Sequence, residues 1–319
     1  MARVSVVCTV LVQLSSSCLA FDGPQFPDAA SSGVSDERRL HADEKGRLLF
    51  RSSFEPDVSV APPFAHNGHW WQELVGRDKR NGYAWPADVP AAARVWFYYS
   101  VLKNKTLDDF VESRIEQVPG PQGVSTHALY MMAKRDDPDT SSNTRNSLEL
   151  RMGQNNELEE AFCRYWIKLQ PNLKDSLHNE PSSPHWRMLM EWFESGSDYR
   201  VGLYIHQPRD GGRLYWQLQG QQRNPEAITE WQEINKDVPV PAGEWFLLEV
   251  YFNRSTGSDG RYRVSVNGKL ILDHRGKNMK DSSLGTWCLF KAYTPKAAFD
   301  RGPVFQWIDD VEIWSAAQR

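Results

Sequence analysis

The sequence has few cysteines, no basic excess, no long apolar run beyond its N-terminus and no signature of nucleotide or metal chemistry. Each shortage excludes something. Lysine and arginine number 37 against 41 aspartate and glutamate, a net charge of −4, so the basic excess of a nucleic-acid binder is missing; a local basic cleft remains compatible with that balance. After the first twenty residues no segment approaches the ~18 consecutive apolar residues of a membrane helix. There is no HExxH, no paired CxxC, no GxxxxGKS/T and no GxGxxG following a strand, which argues against zincins, P-loop proteins and dinucleotide binders. A serine hydrolase built on a GxSxG elbow is excluded in the same way. Internal repeats and low-complexity tracts are also absent.

The N-terminus reads as a secretory signal over residues 1–20. Arg3 provides a positive start, residues 4–14 are mostly apolar, and Cys18-Leu19-Ala20 forms a small-residue cleavage site before Phe21. A lipoprotein site at Cys18 is the lesser alternative, because Ser15 stands where an aliphatic residue is expected. A polar leader follows over 21–45, and one β domain is expected over 46–317. The protein is therefore expected to be secreted, extracellular or periplasmic in a bacterium. Two glycosylation sequons, at Asn104 and Asn253, carry meaning only in a eukaryotic host. Of four cysteines, Cys163 and Cys288 remain after processing. A disulfide between them and a pair of small buried hydrophobes are both open readings.

What is present is β structure. Strand-like runs are expected at 111–118, 128–133, 147–152, 161–169, 186–193, 199–206, 214–219, 245–252, 262–266, 270–273, 286–293 and 305–314. Residues 107–110 read as one helical turn. In the run 162–169, Arg164 and Lys168 share one face while Cys163, Tyr165, Ile167 and Leu169 share the other. Asn267-Gly268 supplies the positive φ pair of a type I′ hairpin. About a dozen short strands with few helices imply an all-β, two-sheet antiparallel sandwich. His66 and His69, around Asn67-Gly68, read as solvated loop histidines lacking a third metal ligand.

Thirteen tryptophans and eleven tyrosines are the clearest bias. Most should be core, with a few, among Trp70, Trp71, Trp192 and Trp216, lining a groove where indole faces stack on sugar rings. Charged pairs inside strands, Glu149 with Arg151 and Arg164 with Lys168, and Glu191 in an apolar strand, are solvated faces or parts of one polar cleft.

The segments LLFRSSFE, SLELRM, FCRYWIKLQP, WRMLMEWFES, PAGEWFLLEVYFN, GRYRVSVNGKLILD, LFKAYT and IDDVEIW resemble, in that order, the jelly-roll polysaccharide lyases of the heparin lyase I and glucuronan lyase type, within the concanavalin A-like superfamily. The resemblance implies a jelly roll that cleaves uronate polymers by β-elimination. A cation neutralises the C6 carboxylate, a base takes the C5 proton and an acid protonates the leaving oxygen. It further implies Tyr293 as acid/base with Lys291 beside it, and Arg151 and Arg164 handling carboxylates. Glu149, Glu191 and Trp192 join the substrate surface. Such lyases tend to carry Gln-x-His where this chain has Glu191-Trp192-Phe193, so His206 is the candidate base from the next strand. The same departure motivates the alternative, a non-catalytic glycan-binding or adhesion module. A two-carboxylate hydrolase on Glu149 and Glu191 ranks lowest. No cofactor is required, although a structural calcium at Glu55, Asp309 and Asp310 is a family-level expectation. The expected partner is an acidic polysaccharide; no nucleic acid or membrane span is expected, and the protein is expected to be a monomer.

Overall fold

In a computed structural model the described residues are 45–316, apart from 91, 153–157, 178–184, 195, 224–226 and 282–284. The signal peptide and nearly all of the leader expected over 21–45 lie outside them. The strands run β1 (Lys45–Ser52), β2 (Ser59–Val60), β3 (Phe64–His66), β4 (His69–Arg77), β5 (Ala84–Trp85), β6 (Ala92–Leu102), β7 (Val111–Pro119), β8 (Ser125–Ala133), β9 (Arg145–Met152) and β10 (Glu160–Leu169). They continue with β11 (Trp186–Glu194), β12 (Tyr199–His206), β13 (Tyr215–Gln222), β14 (Ile228–Asn235), β15 (Trp245–Asn253), β16 (Arg261–Val266), β17 (Lys269–Arg275), β18 (Gly285–Tyr293) and β19 (Val304–Ala316). Among the described residues helix is confined to α1 (Leu173–Ser176) and two 3-10 turns, Leu107–Asp109 and Lys296–Arg301. The first of these turns is the one expected at 107–110.

Two antiparallel sheets form. One has the order β17-β16-β15-β10-β19-β8-β7, with β1 also on β19. The other runs β14-β13-β12-β11-β18-β9-β6-β4-β2, with β3 and β5 on β4. Period-two alternation turns one face of each sheet toward the other. Cys163, Tyr165, Ile167 and Leu169 of β10 therefore enter the shared core, as do Leu148 and Leu150 of β9 and Leu203 and Ile205 of β12. Trp192 and Trp287 stack at 5.5 Å between ring centroids, and Phe252 from the facing sheet meets both edge-on. Such pairs add ~0.5–1.5 kcal/mol each beyond their area. Polar ties cross the same interface: Arg187 Nη2 donates to Gln306 Oε1 at 2.8 Å, and Asn146 Nδ2 donates to the Glu112 carbonyl at 2.9 Å.

The hairpin at Asn267-Gly268 forms as expected, with φ of 50° and 75°. The segment at His66–His69 is a hairpin too, instead of a solvated loop. Asn67 and Gly68 have φ of 48° and 82°, and His66 pairs with His69. The Asn-Gly pair supplies both positive φ values here as well. The two rings pack on aromatic neighbours, His66 on Trp71 and Trp96, His69 on Tyr98.

Parity is interrupted in β18. Cys288 pairs with Glu149 but Phe290 pairs with Leu148, so the register slips by one residue. Leu289 and Phe290 both reach the core, and Cys288, Lys291 and Tyr293 take the opposite face. Its neighbour β11 slips likewise between Met188 and Met190 against β12. A bulge of this kind re-aims side chains along one strand.

The disulfide is corrected by this layout. Cys163 and Cys288 are both free and buried. They belong to different sheets, and while Cys163 points into the core, Cys288 sits on the outer face of its sheet beside Glu149 and Glu191.

Candidate active site

The outer face of the larger sheet gathers the charged residues of its central strands. β18 contributes Cys288, Lys291 and Tyr293; β9 contributes Arg145, Ser147, Glu149 and Arg151; β11 contributes Glu191; β12 contributes Arg200 and Tyr204. A cavity of about 340 Å³ opens here, with Tyr98, Arg145, Glu149, Arg151, Glu191 and Cys288 in its wall, joined by Phe193, Arg223 and Thr286 at one end.

Glu191 is held by two cations. Lys291 Nζ donates to Oε2, and Arg200 Nη1 lies 3.3 Å from Oε1. Burial pushes this carboxyl up, yet Lys291 and Arg200 outweigh it and bring the pKa down to about 2. The negative charge that Glu191 would otherwise turn against a sugar carboxylate is thus neutralised within the protein. Glu149 moves the other way: burial outweighs Arg145, Lys291 and Arg151 and raises its pKa. Ser147 Oγ donates to Glu149 at 3.1 Å. The Cys288 thiol lies between the two carboxylates, 3.8 Å from Glu149 and 3.7 Å from Glu191, and burial raises its pKa well above the ordinary thiol value.

Tyr293 lies at the cleft and is half-buried, not turned into the core. Asn143 Nδ2 donates to its hydroxyl at 3.3 Å. The Arg145 guanidinium stands 5.3 Å from its ring centroid and the Lys291 ammonium 4.7 Å. Trp186 closes the far side at 5.1 Å. Arg145 also reaches Ser100 Oγ at 2.8 Å and covers Tyr98 at 4.9 Å. Arg151 lies over Trp71 at 5.2 Å. An arginine fork against aromatic faces is a carboxylate-recognising arrangement.

Tyr293, Lys291, Glu149, Glu191 and Arg151 are therefore brought together, and Trp71 lies beside them. Other expected residues are not. Arg164 is on the other sheet, on its outer face, where Nε donates to Glu312 at 2.6 Å. Trp192 is two per cent exposed and packs in the core, because it alternates with Glu191. Trp216 is core as well, donating to the Val238 carbonyl, and Trp70 packs against the core and donates to the Lys105 carbonyl. His206 shares the cleft face, stacked on Tyr215 at 5.4 Å, and burial lowers its pKa to about 4. It is two strands from Tyr293, ~10 Å at ordinary strand spacing. Trp186 and Tyr204 stand between them.

Of the three carboxylates expected to bind calcium, two lie together and the third apart. Glu55 and Asp309 meet at Thr126 Oγ1, 3.4 and 3.0 Å away, and Glu55 also contacts His127 at 2.9 Å. Asp310, a bulge residue with φ of 45°, faces Arg80 at 3.8 Å. Among the described residues no group of three or more His, Cys, Asp or Glu side chains is arranged to hold a metal.

Arg145, Arg200, Tyr98 and Tyr204 were not anticipated as site residues. Arg145 continues the alternation of Ser147, Glu149 and Arg151 by one step upstream, and Arg200 and Tyr204 share the phase of His206. Both signals were in the sequence.

The endo-β-1,4-glucuronan lyase of the fungus Trichoderma reesei is 14% identical, covering 72% of this chain and 96% of its own, with a TM-score of 0.45. The PL-14 alginate lyase of Aplysia kurodai is 9% identical over 85% and 100% of the two chains, at 0.43. Alginate lyase Aly36B is 13% identical over 63% and 82%, at 0.42. Among proteins of curated function none matches this sequence. Among the described residues no helix is long and apolar enough to cross a membrane. The family model described as polysaccharide lyase matches residues 96–312, β6 through most of β19 and so every strand that lines the cleft, and the chain belongs to that family.

Proposed function

We propose that this protein cleaves an acidic, uronate-containing polysaccharide by β-elimination in the cleft around Tyr293. The observation that supports this reading is a half-buried Tyr293 on the same sheet face as Glu149, Glu191 and Arg145, with two cations beside its ring. Arg151 and Arg145 would bind the C6 carboxylate and draw off its charge, which acidifies the C5 proton. Tyr293 would receive that proton while giving its own hydroxyl proton to the glycosidic oxygen, as the C4–O bond breaks and the C4–C5 double bond forms. Negative charge appearing on the phenol oxygen during transfer would face Arg145 and Lys291. Lys291 has a second task, neutralising Glu191, so that Glu191 does not oppose the substrate. Every charge this scheme needs comes from side chains of the cleft. Export through residues 1–20 places the enzyme where such polymers occur.

The test is incubation with a panel of uronate polymers while ultraviolet absorbance of the unsaturated product is followed. Product from at least one polymer, abolished by Tyr293→Phe, is expected. No product from any, with binding retained on a glycan array, would assign the protein instead as a glycan-binding module.

A further inference from the structure

Trp186 opens β11 and turns its ring to the cleft, against Tyr293. The Gln207 N–H donates to the His185 carbonyl at 3.5 Å, so the pairing of β11 with β12 runs on to His185. The two neighbours of Trp186, His185 and Arg187, therefore turn to the inner face together, ~7 Å apart along the strand. Both are sealed from solvent, at three and zero per cent exposed.

Neither finds the partners that burial demands. Arg187 donates once, through Nη2, to the neutral Gln306 Oε1 at 2.8 Å. Its Nε and Nη1 have no partner, and neither do Nδ1 and Nε2 of His185. Gln306 spends its amide on a sulfur, with Nε2 donating to Met131 Sδ at 3.8 Å. Arg254, buried as deeply, is paired with Glu194 Oε1 at 3.2 Å. Among the described residues no carboxylate does this for Arg187. Burial pulls its pKa down to about 9 with nothing to offset it, yet the group is still charged at neutral pH.

Nearly all buried donors in native proteins are met by an acceptor. An isolated buried charge is costlier still than an unmet hydrogen bond. Water would accept from the two side chains but would leave the charge. An anion answers both needs, since His185 offers a ring N–H in either tautomer and Arg187 two unused donors. Groups sealed this far from solvent exclude a sugar acid, so the ion is compact.

We propose that His185 and Arg187 bind a small monovalent anion of the halide class between the two sheets. The site is independent of the lyase reading. It also lies behind the cleft. Trp186, between the two ligands, backs Tyr293 with its ring, and its carbonyl accepts from Thr294 Oγ1 at 2.8 Å. The anion thus braces from within the stretch of β11 that supports the tyrosine.

The experiment follows thermal unfolding after dialysis into sodium chloride or sodium gluconate at equal ionic strength. The midpoint is expected to lie about 5 °C higher in saturating chloride, because the ion binds only the folded chain. Arg187→Met, which removes the charge and keeps the bulk, is expected to unfold at the same temperature in both salts. Crystals of the parent grown in sodium bromide give a second measurement that needs no variant. An anomalous peak at the bromine edge is expected within hydrogen-bond reach of Arg187. Equal midpoints for the parent in the two salts overturn the proposal. So does a chloride response that Arg187→Met retains, or a bromide crystal with only water beside Arg187.

Discussion

Lys291 and Glu191 form an ion pair sealed into the floor of the cleft, with side chains one and four per cent exposed. Removing one partner strands the other charge out of water. Glu191→Gln is expected to lower stability by ~3–5 kcal/mol, and a double variant, Glu191→Gln with Lys291→Met, to recover a large part of it. Urea denaturation midpoints of the single and double variants check this.

Tyr293→Phe removes only the oxygen that Asn143 contacts. Turnover is expected to fall ~10²–10⁴-fold with an unchanged unfolding midpoint. Retained turnover would remove Tyr293 from the chemistry.

Arg151→Lys keeps the charge but loses the fork. A ~10–100-fold loss of kcat/KM on the best polymer is expected, carried mainly by KM, since bidentate carboxylate binding is specific to the guanidinium. Steady-state kinetics separates the two constants.

Two groups make the acid side of the stability curve steep. His206 is held at about 4 against an ordinary 6.5, so the unfolded chain binds its proton first and stability falls as pH drops from ~6.5 toward 4. Glu191, held at about 2 against 4.5, contributes stability that is present above ~4.5 and is lost as pH falls through 2. His206→Gln should flatten the upper interval only, and, because His206 is two strands from Tyr293, should leave turnover within about threefold of the parent. Denaturation at pH 7, 5 and 3 with parallel activity assays checks both points.

Asp309 works in the opposite direction. Burial, with Asp310 nearby, pushes it up to about 8. The unfolded chain ionises near 3.8 while the folded chain keeps the proton, so stability declines as pH rises from ~4 to 8. Asp309→Asn is expected to gain several kcal/mol at pH 9 and little at pH 4. Thermal unfolding at the two pH values measures the difference.

Most strands were legible because their alternation has one apolar side. β14 was missed because Ile228–Asn235 is an edge strand with most of its side chains toward water, which leaves no apolar face to detect. β6 carries four successive aromatic residues, Trp96-Phe97-Tyr98-Tyr99, which hide its alternation. Arg164 was placed wrongly for a different reason: alternation tells which side chains share a face, but not which sheet the strand joins. Trp192 was a misreading of parity, since a residue next to Glu191 in an extended strand points the other way. The cleft itself was half legible. Glu149 and Arg151 announce it, whereas the neutralisation of Glu191 depends on Lys291, one hundred residues away, and no local pattern reports that.

The slip in register at Leu289 and Phe290 gives β18 a reading frame. Its first half is phased to the core through Trp287, and its second half is phased to the cleft through Lys291 and Tyr293. What defines the site is therefore a count of residues as much as their identity. Without the extra residue's bulge, plain alternation of this same sequence from Cys288 would carry the tyrosine hydroxyl into the packed interior and turn Ala292 toward the polymer. The bulge is thus what lets Cys288 and Tyr293, five positions apart, share one face, and losing Leu289 or Phe290 would flatten the strand while keeping the tyrosine in phase with the cleft.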